Sequence, residues 1–390
     1  MPCDLGRIAF IAGFSSPIEE YPNPSIKMVW AQEVSDLSLD LKKFLKKASM
    51  AYGVSGHEFQ NAASVMEEAM TGLVDDMRCD ALGNVIGYRK GDGEGPRPKV
   101  MLAGHMDEIG LIVKKIEEKG FLRFAGIGVD PRVLPGHEVI VYGKRPLTGL
   151  VGVKPPHLVA PEDAMKAQKL DELFIDVGLP EDEVRKLVRV GDVVTYKRQV
   201  TELMGDFLSG KSMDDRAGVG VILVCLEELK KYKVPADVYG VATTQEETGF
   251  QGAIVSSYGI KPDIGIAIDV CHGETPGVPE WRTSQVGKGP TLAMGGNIHP
   301  KIFAGLKKAA EELGISIQTE VAPGRTGTDA WAMQMSGEGV ATGLVSIPLR
   351  YMHTSVETLS VGDVLKAGRL LAKFIASCDE AFVKELTQWN

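Results

Sequence analysis

Val100-Met-Leu-Ala-Gly-His-Met-Asp-Glu-Ile-Gly110 opens on a short apolar run, stops on His105, and places Asp107 two residues later. Three other stretches share that design. Val238-Tyr-Gly-Val-Ala242 leads to Glu246 and Glu247, and Ile264-Gly-Ile-Ala-Ile268 leads to Asp269. Leu344-Val-Ser-Ile347 leads, through Pro348 to Met352, to His353. Apolar runs of this length, separated by helical patterns, predict an α/β fold whose mainly parallel sheet is covered by helices on both faces. Ligands of such sheets gather beyond the carboxyl ends of the strands, where these acids and histidines are expected to fall.

Working outward, residues 39–51 place Leu41, Phe44, Leu45 and Ala48 on one face with lysines opposite, which predicts an amphipathic helix. A second helix is expected from Gly56 to about Met70, with Ser55 as its cap, and Asn84 to Tyr88 reads as a short strand before the Gly/Pro linker of residues 91–98. From about Gly110 to Leu203 the texture changes. Short strands alternate with the turn signals Lys119-Gly120, Pro135-Gly136, Tyr142-Gly143 and Arg189-Val-Gly191, which predicts a small, β-rich, barrel-like insert. A strand and a short helix are expected within it between Leu170 and Val188. Ala217 to Leu229 is apolar nearly all round and reads as a buried helix with Asp214 and Asp215 at its N-terminus. The expected domains are therefore an extension at 1–38, a catalytic domain at 39–109 and 204–390, and an insert at 110–203.

The 390 residues fit two domains, and 44% hydrophobic with 24% charged residues suits a globular enzyme with a sizeable core. A net charge of -9 argues against nucleic acid as the main partner, because phosphate binding calls for a basic footprint. No apolar run is long enough to span a bilayer. Arg7 precedes the apolar stretch Ile8 to Phe14, but seven residues is short for a signal-peptide core and no small-x-small site follows. The first 38 residues therefore read as a loose or disordered extension, or as sequence upstream of a true start near Met28. Five scattered cysteines without a CxxC pair point to reduced thiols in the cytoplasm.

His105, Asp107, Asp214, Glu246, Glu247, Asp269 and His353 form a set of imidazoles and carboxylates, the donors that zinc and cobalt accept without thiolate. Two histidines and three carboxylates suit a pair of ions bridged by one shared carboxylate. Such a pair generates hydroxide at neutral pH and stabilises a tetrahedral oxyanion. Adjacent acids such as Glu246 and Glu247 are usually solvated, yet after a buried strand two like charges are costly without a cation. Asp215 is expected only to favour the helix N-terminus through the dipole.

His105-Met-Asp-Glu-Ile-Gly110, Asp214-Asp-Arg216, Gln245-Glu-Glu-Thr-Gly249, Ile268-Asp269 and Arg350-Tyr-Met-His353 occur in an order that resembles the co-catalytic metallo-aminopeptidases of tetrahedral particles. These are the glutamyl and deblocking aminopeptidases, some of whose relatives carry an endoglucanase label. The resemblance covers about residues 39 to 380. It implies a zinc-exopeptidase-like fold and two divalent metal ions per subunit, zinc or cobalt. His105 and Asp269 would hold one ion, Glu247 and His353 the other, and Asp214 would bridge them. Glu246 would be the general base and Asp107 would orient His105. The insert would pair subunits, and dimers would build a homo-oligomer, up to a dodecamer, that acts on peptides.

Ser212-Met213 departs from the alanine and bulky apolar residue usual in relatives. Cys271 and His272 are also unusual, and read as wall of the substrate pocket or as neighbours of a metal. His299 is expected to cap or start a helix. Gly324 to Ala330 resembles the family's substrate-side loop, with Asp329 as its support. The rival readings are a related metal-dependent deacylase or carboxypeptidase, a glycosidase, and a non-catalytic assembly protein. Sugar chemistry with two carboxylates leaves His105 and His353 unexplained, and an intact ligand set beside Glu246 argues against a purely structural role.

Overall fold

The computed structural model describes residues 39–159 and 168–388. The extension expected at 1–38, and the choice of Met28 as a start, lie outside the described residues. Helix α1 (Leu41–Met50) forms where expected. Its apolar face is buried, and the Asp40 side chain caps it by accepting from the Lys43 amide. The second helix starts later than expected, and Ser55 does not cap it. The Ser55 hydroxyl lies 2.9 Å from that of Thr248. Glu58 Oε1 accepts from the amides of Gly56 and Gln245, at 2.9 Å each. Glu58–Gln60 forms a 3-10 turn, and α2 spans Ala62–Met70.

Strands β1 (Asp76–Cys79), β2 (Val85–Arg89) and β3 (Lys99–His105) follow. The chain then enters a closed antiparallel barrel of order β4-β5-β8-β7-β6-β9. Its strands are β4 (Gly110–Ile116), β5 (Leu122–Ile127), β6 (Glu138–Tyr142), β7 (Pro146–Gly152), β8 (Phe174–Asp176) and β9 (Val193–Tyr196), with helix α3 (Glu181–Leu187) before β9. Alternate residues such as Leu111, Val113, Val139, Val141 and Val194 fill its own core.

β10 (Thr201–Glu202) and β11 (Phe207–Gly210) return the chain to helix α4 (Met213–Glu228). The remaining order is β12 (Asp237–Thr243), α5 (Gln251–Ile260), β13 (Ile264–His272), β14 (Thr291–Gly295), α6 (Pro300–Leu313), β15 (Gln318–Ala322), α7 (Asp329–Gln334), β16 (Ala341–Leu349), β17 (Glu357–Ser360), α8 (Val361–Ile375) and α9 (Glu380–Leu386). His299 starts α6 as expected, its ring accepting from the Lys301 amide.

The main sheet has the order β1-β2-β12-β3-β13-β16-β14-β15. Its four central strands are parallel, and they contain the four apolar runs read from the sequence. β2 and β14 run antiparallel to them at the flanks. Val100 and Leu102 face the core shared with α4 and α8, while Met101 and Ala103 face the opposite core with α5 and α7. Burial on both faces is why these strands read as unbroken apolar runs. One boundary differs from expectation. β13 does not stop at Ile268 but continues through Asp269 to His272, because Asp269–His272 pair with Ser346–Leu349 of β16.

Helix α4 lies against β3 with two glycines at the contact. A Cβ on Gly104 would come within 3.0 Å of the Gly218 carbonyl carbon, and one on Gly218 within 2.2 Å of Asp215 Oδ2. Gly218→Ala is therefore expected to push the Asp215 carboxylate aside and cost about 1–3 kcal/mol, the range for overpacked cores. Chemical denaturation of the chelated protein measures this. An unchanged midpoint would mean that the contact tolerates a methyl group.

Candidate metal centre and catalytic site

Backbone register assembles the site first. His105 ends β3 opposite Thr243 of β12, and Ala103 pairs with Ala267, so Asp269 two residues on sits beside His105. Glu246 and Glu247 lie in the turn after β12. Asp107 holds that turn, its Oδ1 and Oδ2 accepting from the amides of Glu246 and Glu247 at 3.1 Å each. Asp214 and Asp215 precede the regular part of α4, with non-helical backbone angles and a cis peptide between them. Asp215 takes the helix-start role expected of it, accepting from the Gly218 amide at 2.9 Å and the His105 amide at 3.2 Å. His353 follows β16 with φ of 61°.

The side chains converge on Asp214. His105 Nε2 is 3.0 Å from Asp214 Oδ1, and His353 Nε2 is 3.4 Å from Asp214 Oδ2 and 3.4 Å from Glu247 Oε1. Ligand atoms of His105, Asp214 and Glu247 lie within 4.8 Å of one another, as do those of His105, Asp215 and Asp269. Both Asp215 oxygens already accept backbone amides, which leaves Asp269 as the freer carboxylate of the second group. Glu246 Oε2 stands 4.0 Å from His105 Nε2. His105, Asp214, Glu246, Glu247, Asp269 and His353 line one cleft of about 420 Å³, and no lysine or arginine among the described residues lines it.

Both imidazoles have the same orientation. His353 Nδ1 is 3.1 Å from the carbonyl of Gly128, which can only accept, so that nitrogen carries the proton. His105 Nδ1 lies 3.3 Å from the Asp107 carbonyl and 3.4 Å from Asp107 Oδ1. Each Nε2 therefore points at a carboxyl group, a position that requires a second ring proton, a proton on the carboxyl or a cation.

The acids carry the same message. Burial pushes Glu246 up to about 11; His105 pulls against it, while Asp269, Asp329 and Asp107 push further. Burial raises Glu247 against the pull of His353, and Asp269 rises well above the carboxylate range for the same reason. Asp214 alone goes down, because His105 and His353 outweigh its burial. Hydrogen bonds to Asp214 and Glu247 lift His353 to about 11. A crowd of buried acids with only two imidazoles among them is a donor set that fits divalent cations.

Some supporting residues were not singled out in the sequence. Glu357 is fully buried; its Oε1 accepts from the His353 amide at 2.9 Å and its Oε2 from the amides of Met213 and Asp214 at 2.7 and 3.2 Å. Glu108 meets Lys211 at 2.5 Å and Arg216 at 3.5 Å, and accepts from the Ser212 hydroxyl, which accounts for the unusual serine there. A carboxylate within an otherwise apolar or hydroxyl-rich run was the only sequence signal for Glu357. Cys271 and His272 line the cleft, and the Cys271 thiol lies 3.5 Å from the Thr291 hydroxyl. Asp329 begins α7 and accepts from the Thr243 hydroxyl, which ties the end of the loop of residues 324–330 to the end of β12.

A family match makes this helix-covered sheet, inserted barrel and acid-rich cleft those of a peptidase. The chain belongs to the M42 glutamyl aminopeptidase family, whose model matches residues 83–370. It is 36% identical over 330 residues to a lysyl aminopeptidase of Pyrococcus furiosus, covering 83% of this chain and 93% of that protein. The solved aminopeptidase of Desulfurococcus kamchatkensis matches with a TM-score of 0.83 and 39% identity, over 89% of this chain and 97% of that one. The TET1 peptidase of Pyrococcus horikoshii, described as able to assemble into a tetrahedron or a large octahedral shell, matches with a TM-score of 0.74 and 31% identity, over 86% and 98%.

Glu357 fixes the backbone of Asp214 and His353 at once. An amide in its place keeps one acceptor oxygen but turns a donor toward a buried N–H. Glu357→Gln is expected to lower stability by about 1–3 kcal/mol, the cost of one unsatisfied buried group. Urea unfolding of the chelated variant measures this, and a wild-type midpoint would show that the carboxylate is dispensable there.

Proposed function

We propose that the protein is a metal-dependent aminopeptidase that removes the first residue of peptides with two divalent ions, zinc or cobalt, per chain. The observation that carries this reading is the aim of both Nε2 atoms at one shared carboxylate, with Asp269 and Glu247 beside it. His105 and Asp269 would hold one ion, Glu247 and His353 the other, and Asp214 both. Bound there, the ions would make water acidic enough to supply hydroxide at neutral pH and would offset charge on the scissile carbonyl oxygen.

The chain's own groups do the remaining work. Glu246 faces the cleft beside His105, and two cations bound there would favour its carboxylate form. It takes a proton from the attacking water as the oxygen bonds to the carbonyl carbon. It returns that proton to the amine nitrogen as the C–N bond breaks. Asp107 keeps Glu246 and Glu247 in place through their amides and keeps the His105 ring in one tautomer. An ion that holds the free α-amine would restrict cutting to the first peptide bond.

Residues 110–203 act as the dimerisation domain in this reading, and dimers assemble into a larger homo-oligomer, as the shells named for the Pyrococcus horikoshii peptidase suggest. The cytoplasm is the proposed location, in keeping with the unbridged Cys79, Cys225, Cys271 and Cys378. A glycosidase would leave both imidazoles without a task.

Glu246 and Glu247 separate the roles of base and ligand. Glu246→Gln is expected to keep both metals and lose about 10²–10⁴-fold in kcat, the worth of a positioned base. Glu247→Gln is expected to lose metal instead. Metal content and kcat of both variants at saturating zinc decide the matter. Loss of metal from Glu246→Gln with retention in Glu247→Gln would exchange the two roles.

A further inference from the structure

Away from the metal centre the cleft has one unmatched charge. Its lining reaches from Asp269 across Leu344 and Ser346 to Glu320 on β15. Asp269 pairs with Ser346, Ser346 with Thr291, and Thr291 with Gln318. Glu320 lies two residues beyond Gln318, so it shares the sheet face of that row. Its side chain is exposed and has no ion-pair partner among the described residues. Arg325, in the neighbouring loop, stacks on Trp331 and Phe250 with its guanidinium 4.1 and 4.7 Å from the ring centroids, and it does not line the cleft.

We infer that Glu320 sets the choice of first residue, so that the cleft takes N-terminal lysine or arginine in preference to acidic or short apolar side chains. The inference rests on the aminopeptidase reading above and deepens it. With the α-amine held at the metal centre, the first side chain would extend over Leu344 and Ser346 toward β15. Three strand spacings, about 14 Å, separate the backbones of β13 and β15. Part of that gap is filled by the side chains of Asp269 and Glu320, and a long stem ending in a cation fills the rest. Lysine and arginine have such stems. Alanine stops short, leucine leaves Glu320 unpaired, and glutamate meets it with like charge.

The test is a panel of lysyl, arginyl, leucyl and glutamyl nitroanilides on the zinc- or cobalt-loaded full chain, with wild type, Glu320→Gln and Glu320→Lys. Wild type is expected to cleave the basic substrates with kcat/KM on the order of tenfold above leucyl, in keeping with a partly desolvated charge pair. Glu320→Gln is expected to collapse the lysyl-to-leucyl ratio toward one, and Glu320→Lys to raise glutamyl cleavage. A wild-type preference for leucyl or glutamyl substrates, or a lysyl-to-leucyl ratio unmoved in Glu320→Gln, overturns the inference while leaving the peptidase reading intact. Cleavage of no panel member overturns the aminopeptidase reading, and this inference with it.

Discussion

Asp214 sits between two imidazole nitrogens, 3.0 Å from that of His105 and 3.4 Å from that of His353, and the surrounding edge of the sheet holds it there. Burying carboxylates side by side is costly, and the protein settles that cost in two ways. Asp107, Asp215 and Glu357 accept hydrogen bonds from backbone amides, which makes them braces. Asp214, Glu247 and Asp269 face the cleft, where imidazoles alone do not balance them. The braces matter because they act on residues distant in sequence. Glu357 ties α4 to the segment after β16, and Asp107 ties β3 to the turn after β12.

Topology adds a second constraint. The chain leaves the sheet for the barrel just after His105 and returns just before Asp214, so both crossings border the site. A buried cluster joins them: Glu108 on the outward crossing meets Lys211 and Arg216 on the return, and Arg216 also donates to the carbonyls of Ala48, Ala51 and Met106. The barrel reaches the site directly through the Gly128 carbonyl, which fixes the His353 ring. Movement of the barrel relative to the sheet would thus be felt at His353.

Much of this was legible in the sequence, for a physical reason. Strands buried on both faces carry unbroken apolar runs, so the four central strands stand out, and a polar residue at or after the end of each run is conspicuous. β1 and β15 escaped notice because they lie at the sheet's edges, where residues such as Arg78, Thr319 and Val321 are exposed and no apolar pattern is required. The start of α2 was misplaced because Glu58 answers to the Gln245 amide, a contact no local pattern records. Glu357 and Glu108 were overlooked for the same reason: their partners are backbone atoms or side chains more than fifty residues away, except His353. The partner of Asp329, the Thr243 hydroxyl at the end of β12, is likewise a contact that no local pattern records.

The central claim is that two ions share Asp214. Crystals of the protein grown with zinc, measured on both sides of the zinc absorption edge, test it directly. The account predicts two anomalous peaks in the cleft, one bordered by His105 and Asp269, the other by Glu247 and His353, with Asp214 touching both. A single peak, or peaks that leave Asp214 out, would contradict it.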